Sequence, residues 1–192
     1  MKQRITNAKI VNEGSIVEAD LVIDGDRIEG INTPPSDGEI IIDAEGGFLI
    51  PGMIDDQVHF REPGFEHKAE IATESRAAVA GGITSYMEMP NCNPLTISEE
   101  KLIDKRDRAS AKSLANYAFY LGATNDNLEN IKSVDPQLTC GVKIFMGAST
   151  GDMLVDDQKT LEGIFSSTSL LVATHCEDTP VSYTHLTLPT KA

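Results

Sequence analysis

The first fifty residues alternate short apolar runs with turn-forming residues, and this pattern predicts a small module of β-strands. The predicted strands are rich in Ile and Val and cover residues 5–11, 16–23, 27–31 and 39–42. Asp24-Gly25 predicts a type I′ hairpin turn between two of them, because glycine accepts the positive φ that this turn requires. Residues 1–50 are therefore predicted to form an antiparallel β module that is too short to close a sandwich alone.

From residue 51 the pattern changes to alternating strands and helices. Strands are predicted over residues 53–59, 83–89, 117–121, 142–146 and 170–175, and helices between them over residues 68–80, 96–113, 125–132 and 156–165. The first helix ends at Gly81-Gly82, as helices often do, and the second opens with a capping-box pattern at residues 96–99. Repeated β/α units of this spacing predict an α/β fold with a parallel sheet or barrel.

The length of the chain limits which α/β architecture it can form. A closed (β/α)₈ barrel needs about 250 residues, and the whole chain has 192 residues. Residues 51–178 are therefore predicted to form either an open five-stranded sheet or the first five β/α units of a truncated barrel. Residues 179–192 have no periodicity, which predicts a non-native or disordered tail.

Composition and charge exclude several classes of function. The chain has 16 basic and 30 acidic residues, a net charge of −14, and this disfavours nonspecific binding to nucleic acid or anionic membranes. The sequence shows neither a signal-peptide core nor an apolar run long enough to span a membrane. The three cysteines, Cys92, Cys140 and Cys176, lack zinc-type spacing and predict no disulfide framework. We expect a cytoplasmic protein with a small-molecule partner.

Polar residues collect at the C-terminal ends of the predicted strands, where function collects in parallel β/α proteins. In the first cluster, residues 55–61, Asp55, Gln57 and His59 share one face of a strand. The second cluster, residues 89–94, reads MPNCNP, and the last, residues 175–178, reads HCED. A single histidine at a strand end is more often a satisfied structural residue than a metal ligand.

Lys143 lies within the apolar strand VKIFM and is harder to explain structurally. Burying an ammonium group is costly unless the group is paired or chemically changed. The alternative is that the side chain extends past the rim of the sheet and places its charge in water.

Taken together, these motifs resemble the cyclic amidohydrolases and, more narrowly, the dihydroorotases. The likeness spans about residues 1–178 and rests on PGMID-x-QVHFREPG at 51–64, AGGIT at 80–84 with MPNCNP, GVKIFM at 141–146 and HCE at 175–177. The resemblance implies a partial metal-dependent-hydrolase (β/α)₈ TIM barrel, preceded by a small β-sandwich-type module. It also implies a homo-oligomeric parent protein that interconverts N-carbamoyl-aspartate and dihydroorotate in pyrimidine biosynthesis.

The resemblance also implies a metal site and a substrate site. One or two Zn²⁺ ions would lie at the barrel mouth, with His59 binding the first, His175 the second and a carbamate on Lys143 bridging them. Zinc would lower the pKa of bound water to about 7 and so supply hydroxide. Arg61 matches the residue that binds the substrate carboxylate through its guanidinium fork, and Asn91 matches a second contact to the same end of the substrate.

Two departures from the family pattern keep other interpretations open. Gln57 stands where the family has the first histidine of D-x-H-x-H, and a neutral amide is a poorer zinc ligand than imidazole. The family's catalytic aspartate and a further histidine are expected beyond residue 192, so the chain alone is expected to be inactive. The alternatives are an allantoinase- or hydantoinase-type cyclic amidohydrolase, or a non-catalytic dihydroorotase-like scaffold protein.

Overall fold

A five-stranded sheet forms the first of two units, Met1–Gly52, in the computed structural model, which describes residues 1–147, 152–178 and 181. Its strands are β1 (Lys2–Asn12), β2 (Ser15–Asp24), β3 (Arg27–Ile31), β4 (Ile40–Asp43) and β5 (Phe48–Leu49). The sheet order is β3-β2-β1-β4, and β5 pairs with β1 further along the same edge. The four predicted strands are confirmed, and the two-residue β5 was missed.

Two predictions about this unit are wrong. The module is not purely antiparallel, because the segment 32–39 carries the chain from β3 to the far edge of β1, where β4 and β5 enter parallel to β1. In the β2–β3 turn only Gly25 has a positive φ, of 61°. That pattern belongs to a type II′ turn, which needs glycine at its first central position alone.

The buried side of the first sheet contains an ion pair as well as apolar residues. Val22 is buried there in register with Arg4, and the buried guanidinium of Arg4 lies 2.7 Å from the Glu39 carboxylate. Arg4 holds the pKa of Glu39 at about 2 through this hydrogen bond, with further bonds from Ser36. A buried charge is tolerated when it is paired in this way.

A curled parallel sheet with helices on one face forms the second unit, from Met53 onward. The elements in chain order are β6 (Met53–Val58), α1 (Ile71–Ala80), β7 (Ile83–Glu88), α2 (Glu99–Lys112), β8 (Asn116–Gly122), α3 (Leu128–Ser133), β9 (Gly141–Phe145), α4 (Gln158–Ser167) and β10 (Val172–His175). The sheet order is β10-β9-β8-β7-β6, which gives part of a TIM barrel with a separate β module before it. The predicted fold class is confirmed.

Helix boundaries test the predicted capping signals. The capping box at residues 96–99 is wrong, because α2 begins after Ser98 and no side-chain hydrogen bond caps it. Thr96 is buried instead, with its hydroxyl 3.3 Å from the Cys92 thiol. At α4, by contrast, the Asp157 carboxylate accepts a 2.8 Å hydrogen bond from the Thr160 N–H, as an N-cap residue should.

Strand register in the second unit separates two faces of the sheet. The core beneath the helices contains every second side chain of β8 and β9, namely Phe119, Leu121, Val142 and Ile144. The side chains between them lie on the opposite face of the sheet. Lys143 pairs in register with Ala173, and Phe145 pairs with His175. Side chains in register share a face, so Lys143 and His175 lie on the side away from the helices.

Within the described residues, no helix is long and apolar enough to cross a membrane. The predicted tail, residues 179–192, lies outside the described residues apart from Val181.

Candidate active site

His59 follows the end of β6 directly and is half-buried. Its ring Nδ1 lies 2.8 Å from the side-chain oxygen of Asn91, which follows β7. An amide oxygen can only accept a hydrogen bond, so Nδ1 carries the proton and Nε2 is left as a lone-pair donor. A neutral imidazole oriented through its other nitrogen is the form in which histidine binds a divalent metal.

The surroundings of His59 disfavour its protonated form. Burial lowers the pKa of His59, and the positive charges of Arg61, Lys143 and Lys105 lower it further, while the bond to Asn91 opposes them. The neutral imidazole is therefore favoured in the folded chain.

Arg61 lies in a turn that is fixed by its neighbours. It adopts a positive φ of 68°, a region that residues other than glycine rarely occupy. The Arg61 carbonyl accepts a 3.1 Å hydrogen bond from the Phe65 N–H, and the Pro63 carbonyl accepts one of 2.9 Å from the Asn93 N–H. Gly64, with φ of 90°, packs so closely that a Cβ there would lie 2.0 Å from the Asn93 carbonyl oxygen.

Two buried carboxylates flank this turn, and the sequence interpretation missed both. Glu62 accepts a 3.1 Å hydrogen bond from the Ile71 N–H at the start of α1 and pairs with Lys112 of α2 at 2.5 Å. Glu88 ends β7 and lies 3.0 Å from Lys105 of α2. The sequence feature that could have indicated a buried carboxylate is Lys105, because it lies on the buried side of α2 with Leu102 and Ala109.

Lys143 lies in the middle of β9 and is only 3% exposed. Within the described part of the chain no carboxylate pairs with it, and its ammonium lies 5.1 Å from the centre of the Phe145 ring. Burial lowers the pKa of the Lys143 amine, an effect that Cys176 partly opposes. The strand therefore contains a buried amine that lacks an anionic partner.

His175 ends β10 and is more open than His59, with 44% of its side chain exposed. Its Nε2 lies 3.4 Å from the Glu177 carboxylate, and its ring centre lies 6.3 Å from that of Phe145. Lys143 and His175 thus approach the same Phe145 ring from neighbouring strands.

Gln57, the weakest of the candidate ligands, is exposed near the end of β6, and its backbone N–H donates a 3.0 Å hydrogen bond to Asp55. Among residues 1–147, 152–178 and 181, no three His, Cys, Asp or Glu side chains lie close enough together to hold a metal ion. The register places Lys143 and His175 on one side of the sheet, and Gln57 and His59 lie at the end of β6, but the described residues do not form a complete set of such ligands.

Comparisons of the sequence with known proteins agree with the motifs. Residues 46–138 match the family model described as dihydro-orotase-like. The chain is 34% identical to a dihydroorotase of Halobacterium salinarum over 178 residues, which cover 91% of the chain and 41% of the relative. It is 32% identical to an allantoinase of Bacillus velezensis over 179 residues, covering 90% of the chain and 39% of the relative.

The fold is similar to that of a solved cyclic amidohydrolase. An L-hydantoinase (dihydropyrimidinase) from Arthrobacter aurescens superposes with a TM-score of 0.87 and 26% identity, over 95% of this chain and 42% of the hydantoinase chain. The chain thus spans about two fifths of the length of these relatives.

Proposed function

We propose that this chain, whose residues 46–138 belong to the dihydro-orotase-like family, supplies metal- and substrate-binding residues to a dihydroorotase. The reaction would be the interconversion of N-carbamoyl-aspartate and dihydroorotate in pyrimidine biosynthesis. The single observation that carries the proposal is the buried amine of Lys143, which pairs with no carboxylate among the described residues and lies on the same face of the sheet as His175.

Lys143 would act as a carbamate. A neutral amine attacks carbon dioxide, a nitrogen–carbon bond forms and a proton leaves, so that a potential cation becomes an anion. Burial favours this step, because the lowered pKa of Lys143 increases the fraction of the neutral, reactive amine. The carbamate would then supply the negative charge that this part of the sheet lacks.

One or two zinc ions would be held by His59, His175 and the carbamate of Lys143, with Gln57 as a weaker further ligand, because a neutral amide binds zinc less well than imidazole. Zinc, when bound, polarises an amide carbonyl and lowers the pKa of bound water to about 7. What supports His59 as a ligand is its neutral tautomer, which the 2.8 Å contact to Asn91 fixes.

The turn after β6 would bind the substrate. The Arg61 guanidinium can hold a carboxylate through two parallel hydrogen bonds, and dihydroorotate carries a carboxylate. Asn91 would contact the same end of the substrate, although its side-chain oxygen already meets His59, which gives it a positioning role as well.

The proton-transferring aspartate would come from a segment outside this chain, so we propose that the 192-residue chain alone does not turn over substrate. What supports this is that the described residues contain no group of three His, Cys, Asp or Glu side chains that could hold a metal ion. We further propose a cytoplasmic, homo-oligomeric parent protein that binds neither nucleic acid nor membrane. The net charge of −14 supports the last point.

A hydantoinase- or allantoinase-type activity is the second candidate, and the similarity to an allantoinase and to a hydantoinase favours it. The two candidates differ in substrate charge. A dihydroorotase needs Arg61 for a carboxylate, whereas hydantoin rings lack this group. The scaffold alternative rests on Gln57 alone and requires a protein that binds no metal.

The decisive experiment is carbon-13 NMR of the chain with zinc and ¹³C-bicarbonate. We expect a lysine carbamate resonance that is lost in Lys143→Ala and retained in the matched control Lys132→Ala, since Lys132 lies on the surface of α3. A chain that binds zinc without any carbamate signal would contradict the role of Lys143. A well-folded chain that binds no zinc would instead support the scaffold alternative.

A further inference from the structure

Glu62 directly follows Arg61 in the turn after β6, and it is only 1% exposed. Both of its carboxylate oxygens meet groups on helices. Oε2 accepts a 3.1 Å hydrogen bond from the N–H of Ile71, the first residue of α1, and Oε1 lies 2.5 Å from the ammonium of Lys112, the last residue of α2. The Arg108 guanidinium lies 3.7 Å from the same oxygen. One side chain therefore joins the turn that contains Arg61 to two helices.

The bond to Ile71 satisfies a group that the helix itself leaves open. The first N–H groups of a helix have no partner within it, and Glu70, the residue before α1, makes no side-chain capping hydrogen bond. The Ile71 N–H donates instead to a carboxylate nine residues earlier in the chain. Ile71 is fully buried, so removal of Glu62 would leave its N–H unsatisfied away from water.

The cations of α2 make the burial of this carboxylate tolerable. Lys112 and Arg108 are each 39% exposed, so they remain partly hydrated while their charges offset that of Glu62. Negative charge is favourable at the start of a helix, and positive charge at its end. Glu62 thus connects the start of α1 with the end of α2 through the charges that each helix end favours.

The backbone on both sides of Glu62 has its own contacts. Arg61 has φ of 68°, a conformation that residues other than glycine keep only where their surroundings impose it. The Arg61 carbonyl accepts a 3.1 Å hydrogen bond from the Phe65 N–H, and the Pro63 carbonyl accepts one of 2.9 Å from the Asn93 N–H. These bonds hold the turn to itself and to the loop after β7, and Glu62, between them, holds it to the helices.

We propose that Glu62 is a positioning residue whose carboxylate fixes the turn after β6 to Ile71 and Lys112 and thereby sets the direction of the Arg61 guanidinium. The consequence, that Arg61 is held ready for a substrate carboxylate, rests on the proposed function, whereas the fixing of the turn does not. Both oxygens of the buried Glu62 carboxylate are engaged by the helices, so Glu62 acts through Arg61 and not on the substrate.

Variants of the 192-residue chain can separate positioning from general stability. Glu62→Ala removes the carboxylate, and Glu62→Gln keeps an oxygen acceptor for the Ile71 N–H but loses the charge that pairs with Lys112. The matched control is Ser75→Ala. The buried Ser75 hydroxyl of α1 accepts a 3.2 Å hydrogen bond from the Leu114 N–H, so this variant weakens the attachment of α1 to the segment after α2 at a site outside the turn.

Hydrogen exchange at the Phe65 and Asn93 amides reports on the turn, because these N–H groups bond to its carbonyls. The core amide of Val142 is the reference, and urea unfolding measures stability. In Glu62→Ala both turn amides should exchange at least about 10-fold faster relative to Val142, with Glu62→Gln in between. In Ser75→Ala this ratio should equal that of the parent chain, although the chain becomes less stable.

Binding of dihydroorotate, followed by NMR at the Arg61 Nε–H, tests the consequence for substrate. The parent chain and Ser75→Ala should bind it alike, and Glu62→Gln should bind it at least about 10-fold more weakly, because the group that orients the ligand-binding residue is altered.

Equal changes at the turn amides and at Val142 in the Glu62 variants would make Glu62 an ordinary stabilising residue and overturn the proposal. Unweakened binding in Glu62→Gln would overturn it too, because the turn would then not direct Arg61. If Glu62→Ala does not fold, Glu62→Gln decides the question, since it keeps the shape of the side chain. If the amides respond as expected but the parent chain does not bind dihydroorotate at Arg61, the fixing of the turn stands and the proposed substrate role of Arg61 fails.

Discussion

The two ends of the candidate site differ in how firmly each histidine is held. At the β6–β7 end, His59 is half-buried, its ring is 2.8 Å from Asn91, and Glu62 in the turn after it is tied to Lys112 and Ile71. At the β9–β10 end, His175 is 44% exposed and lies 3.4 Å from the Glu177 carboxylate. The His59 ring is therefore oriented by a short contact to a neighbouring side chain, whereas the His175 ring has only a longer contact at an exposed position.

The distribution of charge explains this difference. At the β6–β7 end, the carboxylates of Glu62 and Glu88 are matched by cations from α2. At the β9–β10 end, Lys143 is a buried amine with no acid partner in the described part of the chain. The buried carboxylates of the first end are thus paired with cations, whereas at the second end no carboxylate of the described residues pairs with Lys143.

The largest effect, on the free energy of unfolding, is expected from a substitution at Gly64, in the turn at the β6–β7 end of the site. An alanine there would adopt φ near 90° and place its Cβ about 2.0 Å from the Asn93 carbonyl oxygen, so the two loops would have to separate. We expect Gly64→Ala to lower the free energy of unfolding by about 3 kcal/mol, as measured by urea denaturation. Gly82→Ala is the matched control, because Gly82 has φ of 86° and no atom within 4 Å of the added Cβ; it should cost about 1 kcal/mol. Equal losses in the two variants would contradict the close packing of the loops.

Sequence periodicity was sufficient for the strands and helices of both units. Apolar runs bounded by glycine and proline located nine of the ten strands and all four helices, because those elements form from local patterns. The parallel pairing of β4 with β1 could not be predicted, since strand direction depends on where the segment 32–39 crosses the sheet. Thr96 misled the capping prediction because tertiary packing buries it.

The candidate site was predictable only where residues carry a motif. His59 and His175 stood out at strand ends and Lys143 as a cation within an apolar strand, but the buried carboxylates beside the turn after β6 did not. Glu62 and Glu88 are ordinary acidic residues in the sequence, and only the packing of α2 against the strands reveals their burial. Likewise, the contact between His59 and Asn91 joins residues 32 positions apart, and no local pattern predicts it.

A smaller effect, on zinc affinity, is expected from substituting the residues that contact the two histidines. Asn91→Leu removes the group that orients His59, and loss of such a partner typically weakens metal binding by about 10–100-fold. Glu177→Gln changes a 3.4 Å contact to the exposed His175, so zinc affinity should change by less than about 3-fold. Calorimetric titration of both variants with zinc measures the contrast. Similar losses in the two variants would show that both histidines are held equally well.

The smallest effect concerns the protonation of His59. Burial and the positive charges of Arg61 and Lys143 hold its pKa below the usual 6.5, in that order of size. The neutral form is therefore favoured in the folded state, and the stability that it contributes is present above the unfolded-state pKa and is lost as the pH falls through the folded-state pKa. NMR titration of the imidazole carbons should show Arg61→Met raising the pKa of His59 more than Lys143→Met does. A larger response to Lys143→Met would mean that the β9–β10 end influences His59 more than the turn that directly follows it does. The contrast between the two ends of the site would then not hold.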